Sequence, residues 1–234
     1  VSTKVLTPRQ AVLLAAVTNL FGAMVGTAVA KTIASALVDT SIVTSEVLIC
    51  ALLGGIIWNL ITWYFGIPSS SSHALVGGLC GAALAAARGN WAVIIWSQPA
   101  QDHWWHGKGL LWKVIAPMVL SPMIGFTLGF LLMAALYLTL RKLRPMTVNR
   151  IFGKAQMVSA GAMGFMHGTN DAQKTMGIIA LALVAGTTAG AFENLPVWLQ
   201  FLHTPEPPKG KSVEIALWIK VTCAVVMAAG TAAG

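Results

Sequence analysis

The run Val47–Ala87, VLICALLGGIIWNLITWYFGIPSSSSHALVGGLCGAALAAA, decides the fold. It holds 41 residues without a formal charge. As one helix it would extend about 61 Å at 1.5 Å per residue, twice the ~30 Å hydrocarbon core of a bilayer. It must fold back or break, and the break is written at its centre: Phe65-Gly66-Ile67-Pro68-Ser69-Ser70-Ser71-Ser72-His73. Gly66 and Pro68 end the first arm, because glycine frees the backbone and proline has no N–H to donate. The serines cap the second arm by accepting from its unpaired N–H groups. Two shapes satisfy this pattern: two full spans joined by a tight turn, or a re-entrant hairpin with its tip inside the protein. Four serines and a histidine between apolar arms favour the hairpin, since irregular backbone at membrane depth is tolerated where it lines a cavity.

Composition places this run in a polytopic membrane protein. Of 234 residues, 56% are apolar and 9% charged, with a mean hydropathy of +0.75; an ordinary soluble domain carries roughly 25% charge. Disorder, a collagen-like chain and a disulfide scaffold are excluded by the same numbers. Cys50, Cys80 and Cys223 sit in apolar runs without metal-ligand spacing and read as small packing residues. Gln10–Ala30 makes one uncharged crossing and Val114–Leu140 a second, longer one. Two shorter runs, Ala155–Asn170 and Thr175–Phe192, flank Asp171–Lys174, and Val221–Gly234 closes the chain. No cleavable signal peptide is visible at the start. Both ends look cut, so the chain is expected to be a fragment of a longer protein.

The net charge of +8 would suggest nucleic acid in a soluble protein; here it reads as positive-inside bias. Arg141, Lys142, Arg144, Arg150 and Lys154 lie without an acid between them, which makes 141–154 a basic cytoplasmic loop. Arg88–Lys113 then faces outside, and its Trp91, Trp96, Trp104, Trp105 and Trp112 suit an interfacial belt or a surface-lying helix. Thr204–Lys211, rich in proline and glycine, reads as a loop. The expected location is an integral position in the plasma (inner) membrane. Gly26-Thr27-Ala28-Val29-Ala30 and Gly230-Thr231-Ala232-Ala233-Gly234 form a weak repeat.

Two polar interruptions carry the chemistry. In Phe165–Gly177, His167, Thr169, Asn170, Asp171, Gln173, Lys174 and Thr175 interrupt apolar sequence. A carboxylate at a helix centre costs roughly 2.5–3.5 kcal/mol on insertion scales, so Asp171 should face a cavity or a partner. Gly168 ahead of Thr169-Asn170-Asp171 suggests a broken helix whose carbonyls and side-chain oxygens suit a small hard cation such as Na⁺. The competing account is a cytoplasmic loop with an Asp171–Lys174 ion pair. At Pro68–His73, the hydroxyls of Ser69, Ser70, Ser71 and Ser72 join the N–H groups of a helix start, an arrangement that holds phosphate or sulfate without Lys or Arg. A capped turn between two spans accounts for the same residues. His73 and His167 are proton relays or neutral hydrogen-bonding partners. Glu46 sits near one interface. Asn59 and Thr62 face protein as packing or supporting residues.

At these two motifs the sequence resembles the PiT family of inorganic phosphate transporters. The matching stretches are Trp58-Asn59-Leu60-Ile61-Thr62-Trp63-Tyr64-Phe65-Gly66-Ile67-Pro68-Ser69-Ser70-Ser71-Ser72-His73 and His167-Gly168-Thr169-Asn170-Asp171-Ala172-Gln173-Lys174. The resemblance implies an all-α transmembrane bundle built as two inverted halves. Each half carries one Gly-x-Asn-Asp motif and one Pro-x-Ser-Ser/Thr-Ser/Thr-His hairpin. Residues 1–140, with the hairpin near 66–73, would belong to the first half, and 155–234 to the second. The complementary motifs are expected upstream of Val1 and beyond Gly234, and the hairpin tip and Asn170-Asp171 are expected to meet near the midplane.

The mechanism so implied is cation-coupled symport, with Asn170 and Asp171 on Na⁺ or a proton. Ser69 to Ser72, with Thr169 and Lys174, would hold phosphate, and His73, His167, Gln173, Asn59 and Thr62 would support them. A co-bound cation offsets the prohibitive transfer of an anion through low dielectric. No cofactor beyond the co-transported ion is expected, and a homodimer is the expected assembly. A sulfate permease of the same architecture is the nearest competitor. A membrane enzyme using Ser70 and His73 lacks a second carboxylate and an oxyanion signature. A passive channel needs continuous rings of polar groups rather than two localised breaks.

Overall fold

The computed structural model describes residues 5–35, 37–98, 107–205 and 213–233, and no β-strand occurs among them. Their α-helices, in chain order, are α1 Pro8–Met24, α2 Ala28–Ser35, α3 Ser45–Tyr64, α4 Ser71–Ala86, α5 Ala116–Leu140, α6 Pro145–Thr188 and α7 Leu217–Ala233. The helix starts follow capping chemistry. Thr7 and Gln10 form a reciprocal capping box around Pro8, and Thr44 accepts from the Val47 N–H. The uncharged run at 10–30 is not one helix: it breaks at Val25–Thr27, where Gly26 takes φ +81°.

Among the described residues two segments are long and apolar enough to cross a membrane, α3 and the 30-residue Leu111–Leu140, whose first turn is a π-helix at Leu111–Ile115; the bent pair of α1 and α2 makes a third if it is one span. The helix α5 has no buried residue within the chain and carries Pro122 in its interior. With 16 residues, α4 is about 24 Å long, short of a full crossing. A long apolar helix joined by a short turn to a shorter apolar arm makes α3 and α4 a helical hairpin.

The helix α6 departs from expectation. It is 44 residues long and takes in both short apolar runs and the polar residues between them. Its glycines all keep negative φ, and no proline follows Pro145, so nothing frees or blocks the backbone at Gly168. The broken helix expected there is absent; the break in the chain lies at Gly26 instead. Residues 145–154 form the first turns of α6, which confines the non-helical part of the basic stretch to 141–144.

The chain divides into two compact units. One comprises Val1–Gly26, Ile115–Ala172 and Lys220–Gly234. Within it, α6 lies against α1 through glycines: Gly161 faces Leu14 and Thr18, and Gly168 packs on the backbone of Asn19. Small residues let two helices approach where no water drives them together. The other unit comprises Thr27–Val114 and Gln173–Ile219. Its core gathers Val47, Leu48 and Ala51 of α3, Leu79 and Ala83 of α4, Val38, Ile94 and Leu181. The segment after α2 is stitched to the tryptophan-rich loop by Asp39 N–H to Val93 O (2.9 Å) and Ile95 N–H to Leu37 O (3.0 Å). In that loop Trp91 and Trp96 are exposed with rings 6.0 Å apart, and Trp112 donates to Ser97 Oγ at 3.0 Å. Trp104, Trp105 and residues 206–211 lie outside the described residues.

Candidate functional site

The hairpin tip is built by two opposed helix ends. The helix α3 stops at Tyr64, and the chain reverses through Gly66 at φ +63°. The Gly66 N–H donates to Trp63 O (3.1 Å) and the Ile67 N–H to Thr62 O (2.8 Å), pairing the last carbonyls of the helix. Pro68 follows, and Ser70 caps α4 by accepting from the His73 N–H at 3.4 Å. Trp58 Nε1 donates to Ser69 Oγ at 3.2 Å, fixing the first serine against α3. Ser69, Ser70, Ser71 and His73 are exposed and Ser72 is half-buried. Thr62 is buried, and its hydroxyl donates to Trp58 O and Asn59 O of its own helix, so it serves packing; Asn59 is half-buried beside it. The two arms approach closely because Gly78 of α4 meets the Ala51 carbonyl of α3.

The second motif lies within the unbroken helix α6. His167 Nδ1 is 3.4 Å from Asp171 Oδ2, one turn apart, with side chains 57% and 38% exposed. Asp171 is thus a partly open carboxylate with an imidazole as its helical neighbour, and Asn170 beside it is exposed. Thr169 turns inward: its hydroxyl donates to Gly22 O of α1 and Phe165 O, both at 3.0 Å. The single Thr169 hydroxyl is therefore shared between a carbonyl of α1 and one of its own helix, and the first of these ties α6 to α1. Lys174 is half-buried. Gln173 is buried, and its Oε1 accepts from the Val29 N–H at 2.8 Å, capping the first turn of α2 just past the Gly26 break. Among the described residues no cluster of three or more His, Cys, Asp or Glu side chains could hold a metal ion.

Sequence reasoning missed Asn19. It is 2% exposed on α1; its Nδ2 donates to Thr231 Oγ1 of α7 at 3.1 Å, and its Oδ1 has no partner. A buried orphan acceptor is uncommon in a folded protein. The signal was present: one amide inside an otherwise apolar run, and a threonine in the Gly-Thr repeat at 230–231.

The sequence matches the Phosphate transporter family over residues 1–147 and 140–234. The chain belongs to that family. A relative from Streptomyces halstedii, described as a probable low-affinity inorganic phosphate transporter, is 48% identical over 170 residues, covering 72% of this chain and 73% of the relative. One from Bacillus subtilis with the same description is 43% identical over 91% of this chain and 60% of its own length. One from Mycobacterium bovis, again so described, is 42% identical over 98% of this chain and 47% of its own. The chain thus spans about half the length of several curated relatives it matches. A solved structure described as the sodium-dependent phosphate transporter superposes with a TM-score of 0.63 at 19% identity, covering 97% of this chain and 67% of that one. At that identity the likeness speaks for the fold, and the family's helical membrane architecture is what the helices here display.

Proposed function

We propose that this protein carries inorganic phosphate across a membrane by symport with a cation. The observation that carries this is the hairpin tip: exposed serines at the capped start of α4, reached through a short return arm, with no Lys or Arg among them. Helix-start N–H groups and hydroxyls attract an oxyanion without the fixed counter-charge that would slow its release. The family membership and the descriptions of the relatives support phosphate over sulfate. Ser69 to Ser72, with Thr169 and Lys174, are assigned to phosphate, although the Thr169 hydroxyl is engaged with Gly22 and Phe165 until it turns. Asn170 and Asp171 are assigned to the cation, with His167, His73, Gln173, Asn59 and Thr62 in support.

The open Asp171 carboxylate suits Na⁺ or a proton, and the description of the structural relative as sodium-dependent supports Na⁺. Residues 1–140 and 155–234 would belong to two inverted halves, 141–154 would face the cytoplasm across the inner membrane, and the assembly would be a homodimer. Alternating access would rock the hairpin-bearing part against the rest. Uptake of labelled phosphate by cells expressing the full-length protein tests the assignment. Asp171→Asn and Ser71→Ala should each lower uptake by about tenfold or more, as expected when a charge-assisted or transition-critical contact is removed. Wild-type uptake in both variants overturns the site. Replacing Na⁺ by choline at fixed pH should abolish uptake if Na⁺ is coupled and leave it unchanged if protons are. Competition by sulfate as strong as by unlabelled phosphate would favour the sulfate permease.

A further inference from the structure

The buried residues of α3 are Val47, Leu48, Ala51, Gly55 and Thr62, a stripe at helical spacing with a gap one turn before its end. Trp58 stands in that gap, three residues after Gly55 and four before Thr62. Its spacing places it on the stripe, yet it is 53% exposed. The reason is what lies opposite. Gly55 is covered by Ala74 and Leu75 of α4, whereas α4 starts only at Ser71, so Trp58 meets the incoming turn rather than a packed arm. Two hydrogen bonds lay that turn back along α3. The Ile67 N–H donates to Thr62 O at 2.8 Å, and Trp58 Nε1 donates to Ser69 Oγ at 3.2 Å. Pro68 between them has no N–H, so Ser69 takes its place from a side chain 11 positions back rather than from a backbone bond of its neighbour.

Chemistry sets the direction of the Trp58–Ser69 bond. An indole N–H can only donate, so Ser69 Oγ accepts, and the one Ser69 proton is left for another acceptor. A serine hydroxyl without such a donor turns its proton to a nearby backbone carbonyl and shows its lone pairs outward instead. Ser70 is in the same state, since its Oγ accepts from the His73 N–H at 3.4 Å. Among the described residues no acceptor takes the hydroxyl proton of either serine. An oxyanion presents acceptors, so a hydroxyl helps to hold it as a donor.

We propose that Trp58 is a positioning residue of the phosphate site: its indole N–H occupies the Ser69 oxygen and leaves the Ser69 proton to the anion. The inference rests on the assignment of phosphate to the hairpin tip and adds a residue that acts on the anion only through Ser69. A phenylalanine at 58 would cover the same surface without setting that hydroxyl. Trp63, 79% exposed on the same helix, takes no part in the clasp and serves as its control.

The test is uptake of labelled inorganic phosphate, over a range of concentrations, by cells expressing the full-length protein, with the thermal melt of each variant measured in detergent. Trp58→Phe keeps a ring and deletes the N–H. It should raise the KM for phosphate by about threefold to tenfold, the size of one neutral hydrogen bond, and leave the maximal rate within about twofold. Ser69→Ala should raise KM at least as much. Trp58→Phe added to Ser69→Ala should raise it no further, because the indole acts only through that hydroxyl. Trp63→Phe should leave KM unchanged. A wild-type KM in Trp58→Phe, with or without a lowered melt, overturns the clasp. So does an equal further rise in the Ser69→Ala background, or an equal rise in Trp63→Phe. Ser71→Ala separates this inference from the reading beneath it. If that variant loses uptake, a wild-type KM in Trp58→Phe removes the clasp alone; if it keeps wild-type uptake, the phosphate assignment falls and the clasp with it.

Discussion

The hairpin tip at 65–73 and the motif at 167–174 look alike in sequence, each a short polar passage between apolar arms, and they fold in opposite ways. At the tip the chain leaves the helix, and backbone N–H groups and hydroxyls are presented at a new helix start. At the second motif α6 continues through, so only side chains are presented, and His167 and Asp171 meet one turn apart. The difference lies in what each passage does to the backbone. Pro68 removes a donor and Gly66 occupies positive φ, whereas Gly168 stays helical and serves close packing against Asn19. A polar residue interrupts hydropathy; it takes proline or a left-handed turn to interrupt a helix.

Substitutions sharpen this contrast, beginning with the glycine used for closeness. Gly168→Leu drives a side chain into the Asn19 backbone and should destabilise the protein by about 3 kcal/mol or more. Intrinsic-fluorescence melts of the full-length protein in detergent should show a large drop or no folded yield. Gly77→Ala in α4, where nothing lies within 4 Å, should instead leave the melt unchanged or raise it by up to about 1 kcal/mol, as helix propensity dictates. A similar loss in both would mean that glycine acts through backbone freedom in each.

Gln173→Leu comes next in size. It strands the Val29 N–H at the start of α2 and should cost about 2 kcal/mol, read from the same melts. Gln173→Glu keeps an acceptor and should recover most of it. Gly66→Ala puts a Cβ on a residue at φ +63° and should cost about 1 kcal/mol, with no steric penalty beyond the strain because the space around it is open. Ser70→Ala removes the cap of α4 for the smallest loss, about 0.5–1 kcal/mol. Ser70→Asp would keep the cap yet place an anion where phosphate is proposed to bind. Retained stability with lost phosphate uptake would separate the structural use of that position from the functional one.

The sequence by itself determined the class, the long span at 114–140 and the hairpin turn, whereas the run at 10–30 that it marked as one crossing is broken. A charge-free run of 41 residues cannot cross a bilayer once, and Gly66-Pro68-Ser70 states where it turns and how the next helix is capped. Those features are local, decided by chain length, by donors present or missing, and by side chains within three or four residues. Other features depended on packing partners far along the chain. Tertiary structure decided that α6 runs unbroken past Gly168, because the glycines that lower its intrinsic propensity let α1 approach it. It decided that the break falls at Gly26, just after which Gln173, 144 positions from Val29, supplies the missing acceptor at the start of α2. It also buried Asn19 against Thr231, a pair separated by 212 positions. No window of sequence contains both members of such contacts, and the energy that fixes them exists only once the helices are packed.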